Sequence, residues 1–362
     1  MTHRRRNLLI ALASALVVLA GVGWSTGMFD DWRDKRSLGD ACEGVLAEEA
    51  IPQALGSGRA FAGDASKRLH TEGTMTNCIV RGSDEVAPAL RVDLRWEAQA
   101  SKEDLPDHWS ETTLSVGSVA PMGNELPGAL SSTNGNFHAT LALSCPHEAE
   151  GHESLLITVG LARDARHDDP EVRTDLRRFT VGTAANAARK FGCRQPGSLP
   201  SGTVAAGPLH HSVSLAKTQG SCAAVRGFAD EAHDAGLRRA FETPADRHAP
   251  LMDCFLGTRE GKPALRLSTT LGPYTKGYMA AGETSLIRNG AGVGEEDPYA
   301  WATAACPGSS HRSLFTAWPV RDDSTKKLAL DDLPSDFLRT ALNAYAKKTA
   351  HDRGCTDLRL PD

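Results

Sequence analysis

Hydrophobic and polar positions follow three distinct rhythms along this chain. From Leu8 to Trp24 the run LLIALASALVVLAGVGW carries no charge at all. In ALRVDLRW, apolar Leu90, Val92, Leu94 and Trp96 alternate with polar neighbours, the period of a strand with one covered face. In PSDFLRTALNAYAKKTAHDRG the apolar residues recur every three or four positions, so that Leu338, Leu342 and Tyr345 share one face of a helix. Ser335 is predicted to cap that helix and Gly354 to stop it.

The same rhythms occur twice. Laying Cys42 on Cys222 brings Cys78 onto Cys254, Cys145 onto Cys306 and Cys193 onto Cys355. The intervals are 36, 67 and 48 residues in the first half and 32, 52 and 49 in the second. In that register PALR at Pro88 to Arg91 meets PALR at Pro263 to Arg266, SCP meets ACP, and HESLLITVGLARD meets HRSLFTAWPVRD. Matches that keep their order over this length indicate two copies of one module. The boundary falls in RQPGSLPSGTVAAGPLHH, a linker or module edge punctuated by proline and glycine.

Each module reads as a short first helix (DACEGVLAEEAIPQALG, GSCAAVRGFADEAHDAGL), then strands, then a closing helix. The strands are TNCIVRG and LMDCFLG, the PALR strands, FHATLALSCP and LLITVGLA, and the closing helix of the first copy is LRRFTVGTAANAARKFG. The fold class predicted is α+β: two tandem helix/antiparallel-sheet/helix sandwich modules after an N-terminal transmembrane helix. Residues 1–35 form a cytoplasmic stub, anchor and juxtamembrane segment, 36–198 the first extracytoplasmic module and 199–362 the second.

The N-terminus assigns the compartment. Three arginines, Arg4 to Arg6, precede the seventeen uncharged residues, and the positive-inside rule holds them in the cytoplasm. The sequence therefore predicts a single-pass membrane anchor through Leu8 to Trp24, with secretion after signal cleavage as the alternative. Eight cysteines without C-x-x-C spacing fit an oxidising compartment and argue against structural zinc. In each copy the first cysteine starts a helix and the second lies in a strand, while the third ends a strand and the fourth follows a helix. The pairing predicted is thus Cys42–Cys78, Cys145–Cys193, Cys222–Cys254 and Cys306–Cys355.

A helix start such as ACEGVLAEEAIPQALG followed by a strand cysteine in NCIVRG resembles the exported, often lipid-anchored domains of unknown function of high-GC Gram-positive bacteria. The resemblance covers the first third of each module and implies a cell-envelope role without an activity. The chain departs from that pattern in having no cysteine at the end of the apolar run to accept a lipid.

Composition narrows the function classes. A 40% hydrophobic and 23% charged chain is that of a folded body, and a net charge of −5 with no basic stripe after Arg6 sets nucleic acid aside. HEAEGHE places His147 and His152 five apart, where a zinc-protease helix needs four. His152, Glu148, Glu153 and His311 are read as turn residues, and His210 and His211 as a solvated pair in the linker. GAGVGEE at Gly290 to Glu296 lacks dinucleotide-binding spacing and reads as a loop. Asp168, Asp169, Asp331 and Asp332 precede the closing helices, where carboxylates complement the helix dipole. No catalytic residue, metal site or cofactor is assigned. Two functions from different classes follow: a non-enzymatic binding or scaffold protein with an envelope protein as partner, or an envelope hydrolase with a dispersed active site.

Overall fold

A computed structural model describes residues 28–63, 75–82, 88–100, 119–123, 125–133, 136–146, 152–163, 169–199, 201–280, 290–294, 299–321, 327–330 and 333–362. The architecture is α+β with two antiparallel sheets. The first sheet contains β1 Ala60–Gly63, β2 Thr76–Gly82, β3 Ala89–Trp96, β4 Val119–Pro121, β5 Gly128–Thr133, β6 Asn136–Ser144 and β7 Ser154–Ala162, in the order β1-β2-β3-β7-β6-β5-β4. The second contains β8 Ser212–Ser214, β9 Arg239–Phe241, β10 Leu251–Gly257, β11 Pro263–Thr270, β12 Gly292–Val293, β13 Ala300–Ala305 and β14 Ser313–Pro319, in the order β12-β13-β14-β11-β10-β9-β8, with β15 Thr356–Arg359 on β13. Strand for strand, β1-β2-β3-β7-β6-β5 corresponds to β9-β10-β11-β14-β13-β12. Among the described strands, β4, β8 and β15 have no counterpart.

Helices cover one face of each sheet. In the first half these are α1 Met28–Asp40, the single-turn α2 Ile51–Leu55 and α3 Pro170–Phe191; in the second they are α4 Ala229–Asp234 and α6 Ser335–Asp352, while α5 Pro273–Ala280 sends Tyr274 and Tyr278 into the layer between the sheets. Alternation in β3 sends Leu90, Val92 and Leu94 under α3, where they join Ile157, Val159 and Phe179 in a fully buried cluster. Leu265, Leu267 and Phe315 meet Leu338, Leu342 and Tyr345 of α6 in the same way. Buried side chains of this size each stabilise by roughly 1.5–3 kcal/mol relative to exposure.

Four disulfides close these layers: Cys42–Cys78, Cys145–Cys193, Cys222–Cys254 and Cys306–Cys355. They coincide with the pairs expected from the sequence. The first and third fasten the N-terminal turns to β2 and β10, and the second and fourth fasten the closing helices to a strand end. Bridges enclosing 36, 48, 32 and 49 residues restrict the unfolded chain enough to contribute roughly 2–4 kcal/mol each.

Several local expectations need correction. The first helices are broken: 3-10 turns Ala41–Gly44 and Glu48–Ala50 precede α2, and Ala223–Phe228 is 3-10 before α4. Cys42 and Glu43 take left-handed φ of 47° and 60°, which no continuous helix tolerates. Ser335 is the first helical residue and makes no cap; Pro334 occupies that position because its extended backbone feeds the helix directly. Asp169 does cap α3, its Oδ1 accepting from the Glu171 backbone N–H at 2.9 Å. Of the two readings of the stretch joining the halves, linker or module edge, its packing on the first core fits the edge. Val204 is buried in the first core, held by Arg173 Nη2 on its carbonyl at 3.3 Å, while Arg177 Nη2 donates to Gly202 O at 2.6 Å.

Candidate functional site

The free faces of the two sheets turn toward one another. In each half, the arginine of PALR lies on that inner face. Arg91 Nε sits 2.9 Å from Asp93 Oδ2, and Asn77 on the neighbouring strand donates to Asp93 Oδ1. Arg266 holds Asp253 with two parallel bonds of 3.0 Å, and Ser268 Oγ adds a third to the same carboxylate at 2.7 Å. Strand register makes these two constellations counterparts: Asn77 faces Asp93 across β2 and β3, and Asp253 faces Ser268 across β10 and β11. The carboxylate stands on β3 in the first sheet and on β10 in the second, while the arginine stands on the PALR strand in both. Burial raises the Asp93 carboxyl above its ordinary value, against the opposing pull of Arg91, Asn77 and Arg95.

Residues of both halves share one apolar cluster here. Ala129, Val119 and Leu156 of the first half pack with Leu251, Leu314 and an aromatic group of the second. Tyr299 lies flat on Trp318 with ring centroids 4.3 Å apart, and Trp301 follows at 5.5 Å. Gly292 is required beside Trp301, since a Cβ there would stand 2.4 Å from the indole. Polar bonds cross the layer as well: Thr140 Oγ1 donates to Tyr274 Oη at 2.9 Å, Val119 N–H to Asp253 Oδ2 at 3.4 Å, and Lys276 Nζ to Ala98 O. The indole N–H groups of Trp301 and Trp318 and the hydroxyls of Thr158 and Thr316 are buried there without a hydrogen-bond partner among the described residues.

At the rim of this layer Glu97, fully buried, accepts from Ser309 Oγ at 3.0 Å and stands 3.6 Å from His311 Nε2. Serine, histidine and carboxylate are the groups of a hydrolase triad, but the bonds run differently. Ser309 Oγ donates to the carboxylate, and no bond joins it to the imidazole ring, so the histidine is not placed to take the serine proton.

Outside the layer, a cavity of about 560 Å³ opens at the corner where α6 ends beside the turn after Cys222. Arg247, Lys348, His351 and Arg353 line it, together with Asp246 and Asp352. A cavity of about 390 Å³ lies between α1 and α2, and one of about 360 Å³ between α2 and α3.

The residues singled out from sequence scatter. His152 stacks on Trp96 at 4.7 Å, whereas its counterpart His311 faces Glu97 across the module boundary. His211 uses its backbone carbonyl to accept from Glu242 N–H. Gly292–Val293, expected in a loop, form β12 against β13, because the missing Cβ leaves room for Trp301. His147, Glu148, Asp168, Asp331, Asp332 and the apolar run Leu8 to Trp24 lie outside the described residues. Among the described residues no three His, Cys, Asp or Glu are grouped to hold a metal ion, and no helix is long and apolar enough to cross a membrane. Sequence reasoning did not single out the α6 corner. A signal existed, because the aligned copies carry Lys190 against Asp352 and Glu43 against Ala223.

No protein-family model, curated protein or solved structure matches this chain.

Proposed function

We propose that this is an extracytoplasmic binding or scaffold protein without enzymatic activity, built from two copies of one module and tethered to the cell membrane through Leu8 to Trp24. The observation that carries the reading is the matched strand order of the two halves combined with the use of their free faces on each other. Four disulfides fit an extracellular or secreted chain, and in such a chain they hold each half together independently. With the inner faces occupied, the helical surfaces and their corners remain to meet an envelope protein. Such a body presents a fixed relief, which suits recognition.

Residue-specific crosslinking and affinity capture from intact cells test this reading on the full chain. The expected result is a defined partner crosslinked from positions on the outer helices and lost when the cell surface is stripped of protein. Covalent labelling of Ser309 by a fluorophosphonate probe in the folded protein would overturn it in favour of a hydrolase, as would hydrolytic turnover abolished by Ser309→Ala.

A further inference from the structure

One corner of the fold is built in opposite ways in the two halves. In the first half, Lys190 near the end of α3 reaches across to the turn after Cys42, donating to Glu43 O and lying 3.0 Å from Glu43 Oε2. Asn186, one turn earlier, donates to Leu46 O at 3.0 Å. The corner is clasped shut. In the second half the aligned residues are Asp352, Ala223 and Lys348. The acidic partner is gone from the turn, the basic one has become an aspartate, and the 560 Å³ cavity stands in the clasp's place.

Its walls favour one kind of guest. Arg247, Lys348 and Arg353 contribute three full positive charges against Asp246 and Asp352, on a chain whose net charge is −5. Arg247 is mostly exposed and, among the described residues, its side chain reaches Glu125 at 3.8 Å, and Lys348 is paired with Asp352 of its own helix. Arg353 gives the corner a fixed frame, donating to Arg247 O at 2.8 Å and Asp246 O at 3.1 Å. Asp246 is engaged by the His248 backbone N–H at 2.8 Å. Ala223, Ala224 and Met252 supply an apolar floor.

We propose that this corner of the second half binds an acidic, partly apolar peptide segment of a partner protein, an assignment that rests on the binding reading above and names the partner's chemistry. Carboxylates of the segment pair with Arg247 and Lys348, an apolar side chain covers Met252, and backbone amides face Asp352. A phosphate polymer suits the corner less well, because it has no apolar side chain to cover Ala223, Ala224 and Met252.

Fluorescence anisotropy on the full-length protein tests this with three probes: a labelled peptide alternating Glu with Leu, its Lys and Leu counterpart, and labelled inorganic polyphosphate. The acidic peptide binds saturably and the basic one does not. Arg247→Glu and Lys348→Glu, both at exposed positions, each weaken binding by about tenfold or more. Ala223→Glu combined with Asp352→Lys rebuilds the clasp of the first half and removes binding, while near-ultraviolet circular dichroism shows the fold retained. Equal affinity in all variants, preference for polyphosphate, or no binding of the acidic peptide overturns the proposal. If crosslinking from intact cells still finds a partner on another face, the corner assignment falls and the binding function stands.

Discussion

On one face of β3, Leu90, Val92 and Leu94 meet aliphatic and aromatic side chains under α3; on the other, Arg91, Asp93 and Arg95 face the second half of the molecule. Cohesion within each half comes from apolar burial and disulfides, terms that are large and tolerant of detail. Adhesion between the halves rests in good part on directional groups: the Val119–Asp253 bond, the Thr140–Tyr274 bond and the Glu97–Ser309 bond. Several polar atoms in the same layer have no partner among the described residues, each costing about 1–3 kcal/mol of desolvation. The difference teaches that the halves are stable bodies first and joined second, with specificity concentrated in the joint.

Removing the fully buried Asp253 carboxylate at the joint has the largest expected effect. Asp253→Ala leaves the Arg266 guanidinium buried with its carboxylate removed, and denaturant unfolding should show a loss of about 3–5 kcal/mol. Replacing both partners, Asp253→Leu with Arg266→Met, should cost about 1 kcal/mol or less, because no uncompensated charge remains. Equal losses in the single and double variants would mean that packing, and not charge, sustains the joint.

Next comes cohesion. Cys222→Ser with Cys254→Ser should lower stability by roughly 2–4 kcal/mol. The loss should fall on the second half, read as hydrogen exchange accelerated in β10 and α6 while β2 and α3 stay protected. Uniform acceleration would show that the halves unfold as one unit.

A smaller effect is expected from Tyr274→Phe, which strands the Thr140 hydroxyl, at about 1–2 kcal/mol. The joint should also titrate. Asp93 is raised by burial, so between its ordinary value of 3.8 and the raised one the folded chain keeps a proton that the unfolded chain has released. Stability contributed at this site therefore falls as pH rises through that window. Asp93→Asn should flatten the slope there in a pH series of thermal melts; an unchanged slope would exclude Asp93 as its source.

Much of each half is legible in the residues. Period-two alternation placed β3, the three-and-four spacing placed α6, and the ordered cysteines gave both the correspondence of the halves and the pairing found. The broken first helices were not legible, because Cys42 and Glu43, residue types that seldom take positive φ, do so ahead of Gly44. The Glu97, Ser309 and His311 grouping was equally hidden, since Glu97 lies far along the chain from its two neighbours.

By itself the sequence determined which residues face a core and which cysteines belong together, since both follow from local period and from a pattern written twice. Tertiary structure alone decided what the polar face of each sheet is for. Arg91 and Arg266 read in sequence as the polar side of a strand with one covered face, and the second cover comes from residues more than a hundred positions away. No local period encodes a partner at that distance, so only the packed chain could place those charges on the facing sheets, Arg266 buried and Arg91 partly exposed, and leave the α6 corner open.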